Sequence, residues 1–89
     1  MRPHPHALPD DVFDELDGSS SVPLHAQVTE VLRREVRRGA LPHGALMESE
    51  RSLTERFGLG TWVVQRAMGE LVASGVVVRQ PGIGTRVIG

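Results

Sequence analysis

The stretch that decides the fold is residues 49–88, SERSLTERFGLGTWVVQRAMGELVASGVVVRQPGIGTRVI. It contains two short helical patterns joined by a tight turn with glycines at Gly58 and Gly60, followed by a hairpin closed at residues 81–84. Two helices with such a turn and then a two-stranded ribbon are how a winged helix-turn-helix is built. This arrangement presents a helix and a ribbon to duplex DNA together, so the pattern indicates a function as well as a fold.

Cap residues predict where the helices begin and end. An upstream helix is expected to start near Pro23 and to stop at Gly39, where glycine can adopt the left-handed conformation that ends helices. Ser49 is the expected N-cap of a second helix that Gly58 terminates. A third helix is expected over residues 61–74. It should bury one stripe at helical spacing, formed by Val64, Ala67, Met68 and Leu71.

The remaining elements are short strands. β-branched residues predict strands over residues 76–80 and 85–88, and residues 45–47 are a candidate third strand. The predicted fold class is therefore mainly α with a small β-hairpin (α+β). Its architecture is a winged helix-turn-helix of three helices plus a two- to three-stranded wing sheet.

Composition divides the 89-residue chain into two parts. Residues 1–20 combine three prolines, five acidic residues and a glycine–serine end, which predicts a flexible acidic N-terminal tail or linker. Within it, Val12, Phe13 and Leu16 could dock as a short apolar patch. Residues 21–89 are predicted to form the DNA-binding domain. They hold nine arginines and six acidic residues, a net charge of +3 that the formal charge of -1 for the whole chain conceals.

The composition also excludes several functional classes. Without cysteine, the chain has no disulfide, zinc-thiolate site or thiol redox chemistry. It has neither an apolar run of the roughly 20 residues that cross a bilayer nor the apolar stretch of a secretory signal, so no membrane partner and a cytoplasmic location are expected. No nucleophile elbow or phosphate-binding loop occurs, so we expect no enzyme activity, cofactor or metal.

A set of motifs recurs in order along about residues 13–88. It comprises Ser49-Glu50-Arg51-Ser52-Leu53, Phe57-Gly58-Leu59, Val64, Ala67, Leu71, Gly75 and Arg79-Gln80-Pro81-Gly82-Ile83-Gly84-Thr85, with Pro23-Leu24, Gln27 and residues 39–44 upstream. In this order and spacing the set resembles the GntR family of bacterial transcription regulators. The resemblance implies a regulator, with repression as the expected action. It would read operator DNA with its third helix in the major groove and its wing at the minor groove.

Physical chemistry independently favours DNA contacts on this scaffold. The starts of helices two and three carry unpaired N–H groups and partial positive charge, which attract phosphate. The resemblance assigns a DNA contact to Arg51, whose alternative is a surface ion pair with Glu48 or Glu55. Glycines in the wing allow its backbone to approach a phosphate or the minor groove closely. The expected DNA-binding residues are Ser49, Glu50, Arg51, Thr61, Trp62, Gln65, Arg66, Arg79, Gly82, Ile83, Gly84 and Arg86.

The start of the third helix departs from the family. The family usually reads Ser-Arg-Thr-Thr-Val-Arg where this chain reads Gly-Thr-Trp-Val-Val-Gln at residues 60–65. Gln65 can still offer its amide to an adenine, and Thr61 can contact phosphate or a thymine methyl group. Trp62 could contact a thymine methyl, a sugar or another protein, or cover the edge of the core. The two missing arginines, each contributing roughly 1–3 kcal/mol against a guanine, predict a changed operator and weaker binding.

The expected partner is double-stranded operator DNA, bound by a symmetric homodimer on a palindromic site. An alternative function is a winged-helix protein-interaction module without specific DNA binding, with Trp62, Val63 and Ile83 as its contact surface. Members of the family typically carry a second domain that binds a small effector; the chain ends at Gly89, so no small-molecule effector is expected for it. A further hypothesis is that the acidic tail folds back over the basic face and limits non-specific DNA binding.

Overall fold

The computed structural model describes residues 5–89, so the first four residues of the predicted tail lie outside the described part of the chain. The elements follow the order α1 (Leu24–Arg37), α2 (Glu50–Phe57), α3 (Thr61–Ala73), β1 (Val77–Gln80) and β2 (Gly84–Val87). The two strands pair in antiparallel register, with Val77 opposite Val87 and Gln80 opposite Gly84. This is the predicted winged helix-turn-helix, and we call β1, β2 and the turn between them the wing. Among residues 5–89, no helix combines the length and the apolar character that crossing a membrane requires.

The predicted caps fix the turn between α2 and α3. The hydroxyl of Ser49 accepts a hydrogen bond from the N–H of Ser52 at 3.0 Å and so caps the first turn of α2. Gly58 follows α2 with a φ of 63°, the left-handed conformation that a glycine adopts without a steric penalty. Gly60 is the N-cap of α3 and contributes no side-chain hydrogen bond. The short connection sets α2 and α3 in the arrangement of a helix-turn-helix.

The core lies between α1 and α3 and extends to the wing. The predicted stripe of α3 is buried, and it packs with Val28 and Leu32 of α1. Val77 and Val87, which face each other across the two strands, are also fully buried in this cluster. Apolar burial therefore ties the wing to the helices and holds it beside the end of α3.

The segment before α2 runs along β2 but does not form the third strand that the sequence suggested for residues 45–47, because only isolated bridging hydrogen bonds join it to β2; in the described residues the sheet has two strands. Met47 donates its N–H to the carbonyl of Thr85 at 2.8 Å, and Val87 donates to the carbonyl of Ala45 at 2.9 Å. An antiparallel bridge also joins Leu46 to Arg86. Because Met47 lies two residues before the cap of α2, these hydrogen bonds hold the start of α2 next to the wing.

The acidic N-terminal segment packs on the domain, which differs from the mobile tail expected for residues 1–20. Leu8, Val12 and Phe13 are buried members of the core cluster. The ring of Phe13 meets the ring of Phe57 edge-on, with 4.8 Å between ring centroids and 85° between planes. Leu16 also packs against this cluster, so the docking that the sequence allowed for Val12, Phe13 and Leu16 is confirmed and extends to Leu8.

The acidic side chains of this segment pair with arginines away from the predicted DNA contacts. Arg34 of α1 donates a hydrogen bond to Glu15 at 3.0 Å, which lowers the pKa of that carboxyl. Arg56, at the C-terminal end of α2, donates to Asp10 at 2.7 Å. The hypothesis that the acidic segment covers the basic DNA-binding face is therefore wrong for these two carboxylates, which face α1 and the far end of α2.

Candidate nucleic-acid interface

The starts of α2 and α3 and the wing converge on one side of the molecule. One groove between the two helices is lined by Glu50, Arg51, Thr54, Glu55, Thr61 and Gln65. An adjoining groove is lined by Ser49 and Glu50 of α2 and by residues 79–85 of the wing. Glu50 belongs to both grooves, so the surface is continuous. We call it the recognition face; it consists of the N-cap Ser49, residues 50, 51, 54 and 55 of α2, Thr61 and Gln65 of α3, and residues 79–85 of the wing.

Nine of the twelve predicted DNA-binding residues lie on this face. They are Ser49, Glu50, Arg51, Thr61, Gln65, Arg79, Gly82, Ile83 and Gly84. Sequence reasoning missed Thr54 and Glu55, although their spacing of four residues from Glu50 and Arg51 puts them on the same side of α2. The recognition face thus gathers residues from three elements that are up to 36 positions apart in sequence.

The other three predicted residues lie beside the recognition face or turn from it. Trp62 and Arg66 project from the first two turns of α3 and are both exposed. Arg86 is half-buried: its guanidinium donates to the side chain of Gln80 at 2.8 Å and to the carbonyl of Gly44 at 2.7 Å. These two hydrogen bonds hold Arg86 against the sheet, so its expected phosphate contact does not follow from this geometry.

The arginines of the recognition face are paired with carboxylates. The side chain of Arg51 is 87% exposed, and its Nε lies 3.0 Å from Glu55, one of the two ion-pair partners considered from the sequence. Arg79 of the wing lies 2.7 Å from Glu50 and links the wing to the first turn of α2. Ion pairs between exposed groups contribute only about 0–1 kcal/mol, so a phosphate can replace Glu55 at little cost, whereas Glu50 is half-buried.

Trp62 is largely exposed but held in place by α1. Its side chain is 63% exposed, and its ring meets His25 edge-on at a centroid distance of 5.5 Å. The Nδ1 of His25 lies 3.0 Å from Glu70 of α3, outside hydrogen-bonding geometry. Thr29 donates to the same carboxylate at 2.9 Å, and this hydrogen bond lowers the pKa of Glu70. The role of His25 could not be read from the sequence, because His25 lies 37 positions before Trp62.

Glu48 joins the start of α2 to the N-terminal segment. This buried carboxylate accepts hydrogen bonds from the N–H of Leu8 at 3.1 Å, from the hydroxyl of Ser52 and from the guanidinium of Arg56. Burial by itself raises the pKa of Glu48, but these hydrogen bonds outweigh burial and hold the pKa below the ordinary glutamate range. Glu48 directly precedes the N-cap Ser49, so the network fixes the position from which α2 presents its first turn.

Glu48→Gln is expected to lower the free energy of unfolding by about 1–3 kcal/mol at neutral pH, because it removes a charged acceptor from three hydrogen bonds. The pKa of Glu48 is lowered in the folded state. The charge of Glu48 therefore makes its full contribution to the free energy of unfolding at pH values above the ordinary glutamate pKa, and that contribution is lost as the pH falls through the lowered pKa. The deficit of the variant should therefore shrink below about pH 4. Urea unfolding of wild type and of Glu48→Gln at neutral and acidic pH measures the difference in their free energies of unfolding.

The matched control for this experiment is Glu55→Gln. Glu55 is 66% exposed and pairs with an exposed arginine, so the same change of charge should leave stability almost unaltered at either pH. A deficit of equal size at neutral and acidic pH in Glu48→Gln would contradict the stabilising role of the Glu48 charge.

Comparisons with known proteins identify the family. Residues 24–87 match the family model "Bacterial regulatory proteins, gntR family". Over 75 residues the chain is 38% identical to the HTH-type transcriptional regulator Rv0792c of Mycobacterium tuberculosis. This match covers 84% of the present chain and 28% of that regulator. Over 68 residues it is 33% identical to the histidine utilization repressor of Pseudomonas putida, covering 76% and 27% respectively. The chain thus spans less than a third of the length of these curated relatives.

Solved structures agree with this match. The crystal structure of AraR(DBD) in complex with operator ORE1 is 28% identical and superposes with a TM-score of 0.71, over 81% of this chain and 88% of that one. The family match covers all three helices and the wing. The resemblance seen in the sequence motifs is confirmed: the chain belongs to the GntR family of bacterial regulatory proteins, and its curated relatives are named as transcriptional regulators.

Proposed function

We propose that this chain binds operator DNA as the recognition module of a transcription repressor. In this proposal α3 enters the major groove, the first turn of α2 contacts the phosphate backbone and the wing lies at the adjacent minor groove. The observation that carries the proposal is the convergence of the two helix starts and the wing on the recognition face. The names of its relatives support the regulatory role, and the AraR(DBD) structure, titled as a complex with operator ORE1, supports DNA as the partner.

The dimensions and chemistry of the recognition face suit a duplex. α3 has 13 residues and is about 20 Å long, and an α-helix fits the major groove, which is about 12 Å wide. Thr61 and Gln65 are exposed on its first two turns. Gly82, with a φ of 78°, and Gly84, with a φ of 138°, flank the exposed Ile83 at the tip of the wing, and their lack of side chains allows the backbone on either side of Ile83 to approach a phosphate closely.

Binding as a symmetric homodimer on a palindromic site is part of the proposal. A single module of this kind buries roughly 600–1,000 Å² of protein surface on DNA, which limits its affinity. Two copies related by a two-fold axis would contact two half-sites and combine their binding energies. A cytoplasmic location, where the chromosome of a bacterium is found, follows from the same function.

Selection of duplexes from a random pool, followed by mobility-shift titration, tests the proposal. We expect one motif to be enriched by the wild-type chain. The logarithm of the binding constant should fall with the logarithm of salt concentration, with a slope of about -0.9 for each phosphate contacted. A pool without an enriched motif, together with an affinity that does not depend on salt, would contradict operator binding.

A protein-interaction module is the alternative, and the exposure of two apolar side chains favours it. Trp62 is 63% exposed and Ile83 is 56% exposed, as a contact surface for another protein would require. Val63, the third residue expected on that surface, packs against the core instead. Alanine at Arg51 should damage DNA binding much more than protein binding, so measuring both activities in this variant separates the two functions.

A further inference from the structure

We propose that α3 reads A·T base pairs, with the indole of Trp62 packed on the 5-methyl group of a thymine and the amide of Gln65 hydrogen-bonded to an adenine. This inference rests on the proposed binding of operator DNA and deepens it, because it names the bases that the helix selects. It also gives His25 a part in recognition, as the residue that positions the indole.

The indole of Trp62 is an apolar surface in a fixed position. It is 63% exposed, yet its ring packs edge-on against His25 with an angle of 87° between the two planes. His25 is itself largely buried, with 16% of its side chain exposed, and lies 3.0 Å from Glu70. A ring supported in this way cannot easily turn into the core, so its apolar face remains available to a partner.

The thymine methyl is the apolar group that B-DNA presents in the major groove. A guanine edge presents two acceptors there and an adenine edge one acceptor and one donor, whereas an indole has a single N–H donor and can satisfy at most one of them. Covering an exposed apolar ring with a methyl group removes apolar surface from water and is therefore favourable. Among the base edges of the major groove, the thymine methyl thus fits the exposed indole best.

Gln65 lies three residues after Trp62, one turn further along the same side of α3. It is exposed and lines the groove that the starts of α2 and α3 form. Its side-chain amide combines one acceptor with donors, which is the complement of the N6 and N7 groups of adenine. An arginine would instead complement the two acceptors of guanine, so a glutamine here favours adenine.

The first two turns of α3 offer little that would select guanine. Between Thr61 and Gln65 the sequence has no arginine. Arg66 follows them, and its Nε lies 3.5 Å from Glu70, which contacts His25 and Thr29, so Arg66 lies on the side of α3 that faces α1. The side chains at the tip of the helix are therefore an apolar ring, a hydroxyl and an amide, which together match A·T pairs.

Base analogues test the two contacts separately. The motif selected from a random pool by the full chain is resynthesised as a series of duplexes. In each duplex a single thymine is replaced by deoxyuridine, which lacks the methyl group. One such replacement should weaken binding by wild type about fourfold, the value of one buried methyl group, and should have no effect on Trp62→Ala. Replacing one adenine by 7-deazaadenine should weaken wild type about fivefold or more and leave Gln65→Ala unaffected.

Variants at His25 test its positioning role. His25→Ala should reduce the effect of deoxyuridine, whereas His25→Phe, which keeps an aromatic edge beside the indole, should retain it. Neither variant should change the dependence of affinity on salt, because no phosphate contact is removed. Ile88→Ala is the control for loss of an exposed apolar side chain, since Ile88 is 42% exposed and follows β2; it should retain the full deoxyuridine effect. Thermal unfolding followed by circular dichroism verifies that each variant is folded.

The outcomes separate this inference from the proposed function. If no motif is enriched, operator binding itself fails. If a motif is enriched but guanines occupy the positions contacted by α3, the inference is wrong while DNA binding stands. The same holds if deoxyuridine has no effect on wild type, or weakens Trp62→Ala as much as wild type.

Discussion

Phe13→Ala is expected to lower the free energy of unfolding by about 3 kcal/mol, the usual cost of removing a phenylalanine ring from a core. The ring of Phe13 is 8% exposed and packs edge-on against Phe57 at the end of α2. Its loss would leave a cavity between the N-terminal segment and the helices. In a domain of about 90 residues, a loss of this size lowers the melting temperature by more than about 10 °C, which thermal and urea unfolding would measure.

The neighbouring Asp14→Ala provides the control, since Asp14 is exposed and its removal should leave the melting temperature almost unchanged. We propose from the packing of Leu8, Val12 and Phe13 that the folded unit starts near Leu8, not at Ser21 as the sequence predicted. If Phe13→Ala melted like wild type, the N-terminal segment would not belong to the cooperative unit, and the boundary expected from composition would stand.

Arg51→Ala is expected to weaken binding to the selected operator about 10- to 100-fold, because a hydrogen bond to a charged group contributes about 1.5–3 kcal/mol. The side chain lies at the first turn of α2, is 87% exposed and needs only to leave Glu55 to reach a phosphate. The salt dependence of binding should also lose about one unit of slope. Stability should change by less than about 0.5 kcal/mol, because only an exposed ion pair is lost.

Arg37→Ala removes the same charge from a different place. Arg37 is exposed at the end of α1 and lines a groove with the N-terminal segment, away from the recognition face. Mobility-shift titrations of the two variants at one salt concentration should therefore show a much larger loss for Arg51→Ala. Equal losses would indicate that the total charge of the domain, and not a contact at the start of α2, governs binding.

Much of the fold could be predicted from local signals. The periodicity of α3 and the caps Ser49 and Gly58 depend on residues within a few positions of each other, so the sequence displays them directly. Helix α3 ends at Ala73, one residue before the predicted end. The two strands also agree with the prediction to within one residue at all four ends, and β2 starts at Gly84 because the turn is one residue shorter than the glycine pattern indicated.

The N-terminal segment could be predicted only in part: its apolar patch is visible in the sequence, but its order depends on partners far along the chain. Its acidic and proline-rich composition favours disorder. Burial of Leu8 and Phe13 and the hydrogen bond from Leu8 to Glu48, 40 positions away, favour the docked structure instead. The orientation of the Arg86 side chain could not be predicted for the same reason, since the carbonyl of Gly44 to which it donates lies 42 positions earlier.

The exposed position of Trp62 gives the protein an optical reporter of its own. It is the single tryptophan of the chain, so any ultraviolet emission from an indole comes from this one place at the start of α3. In the free protein most of the ring is in contact with water. A duplex lying against α3 would displace that water and bring nucleobases beside the ring, so quenched and blue-shifted emission would follow occupancy of the helix without any attached dye.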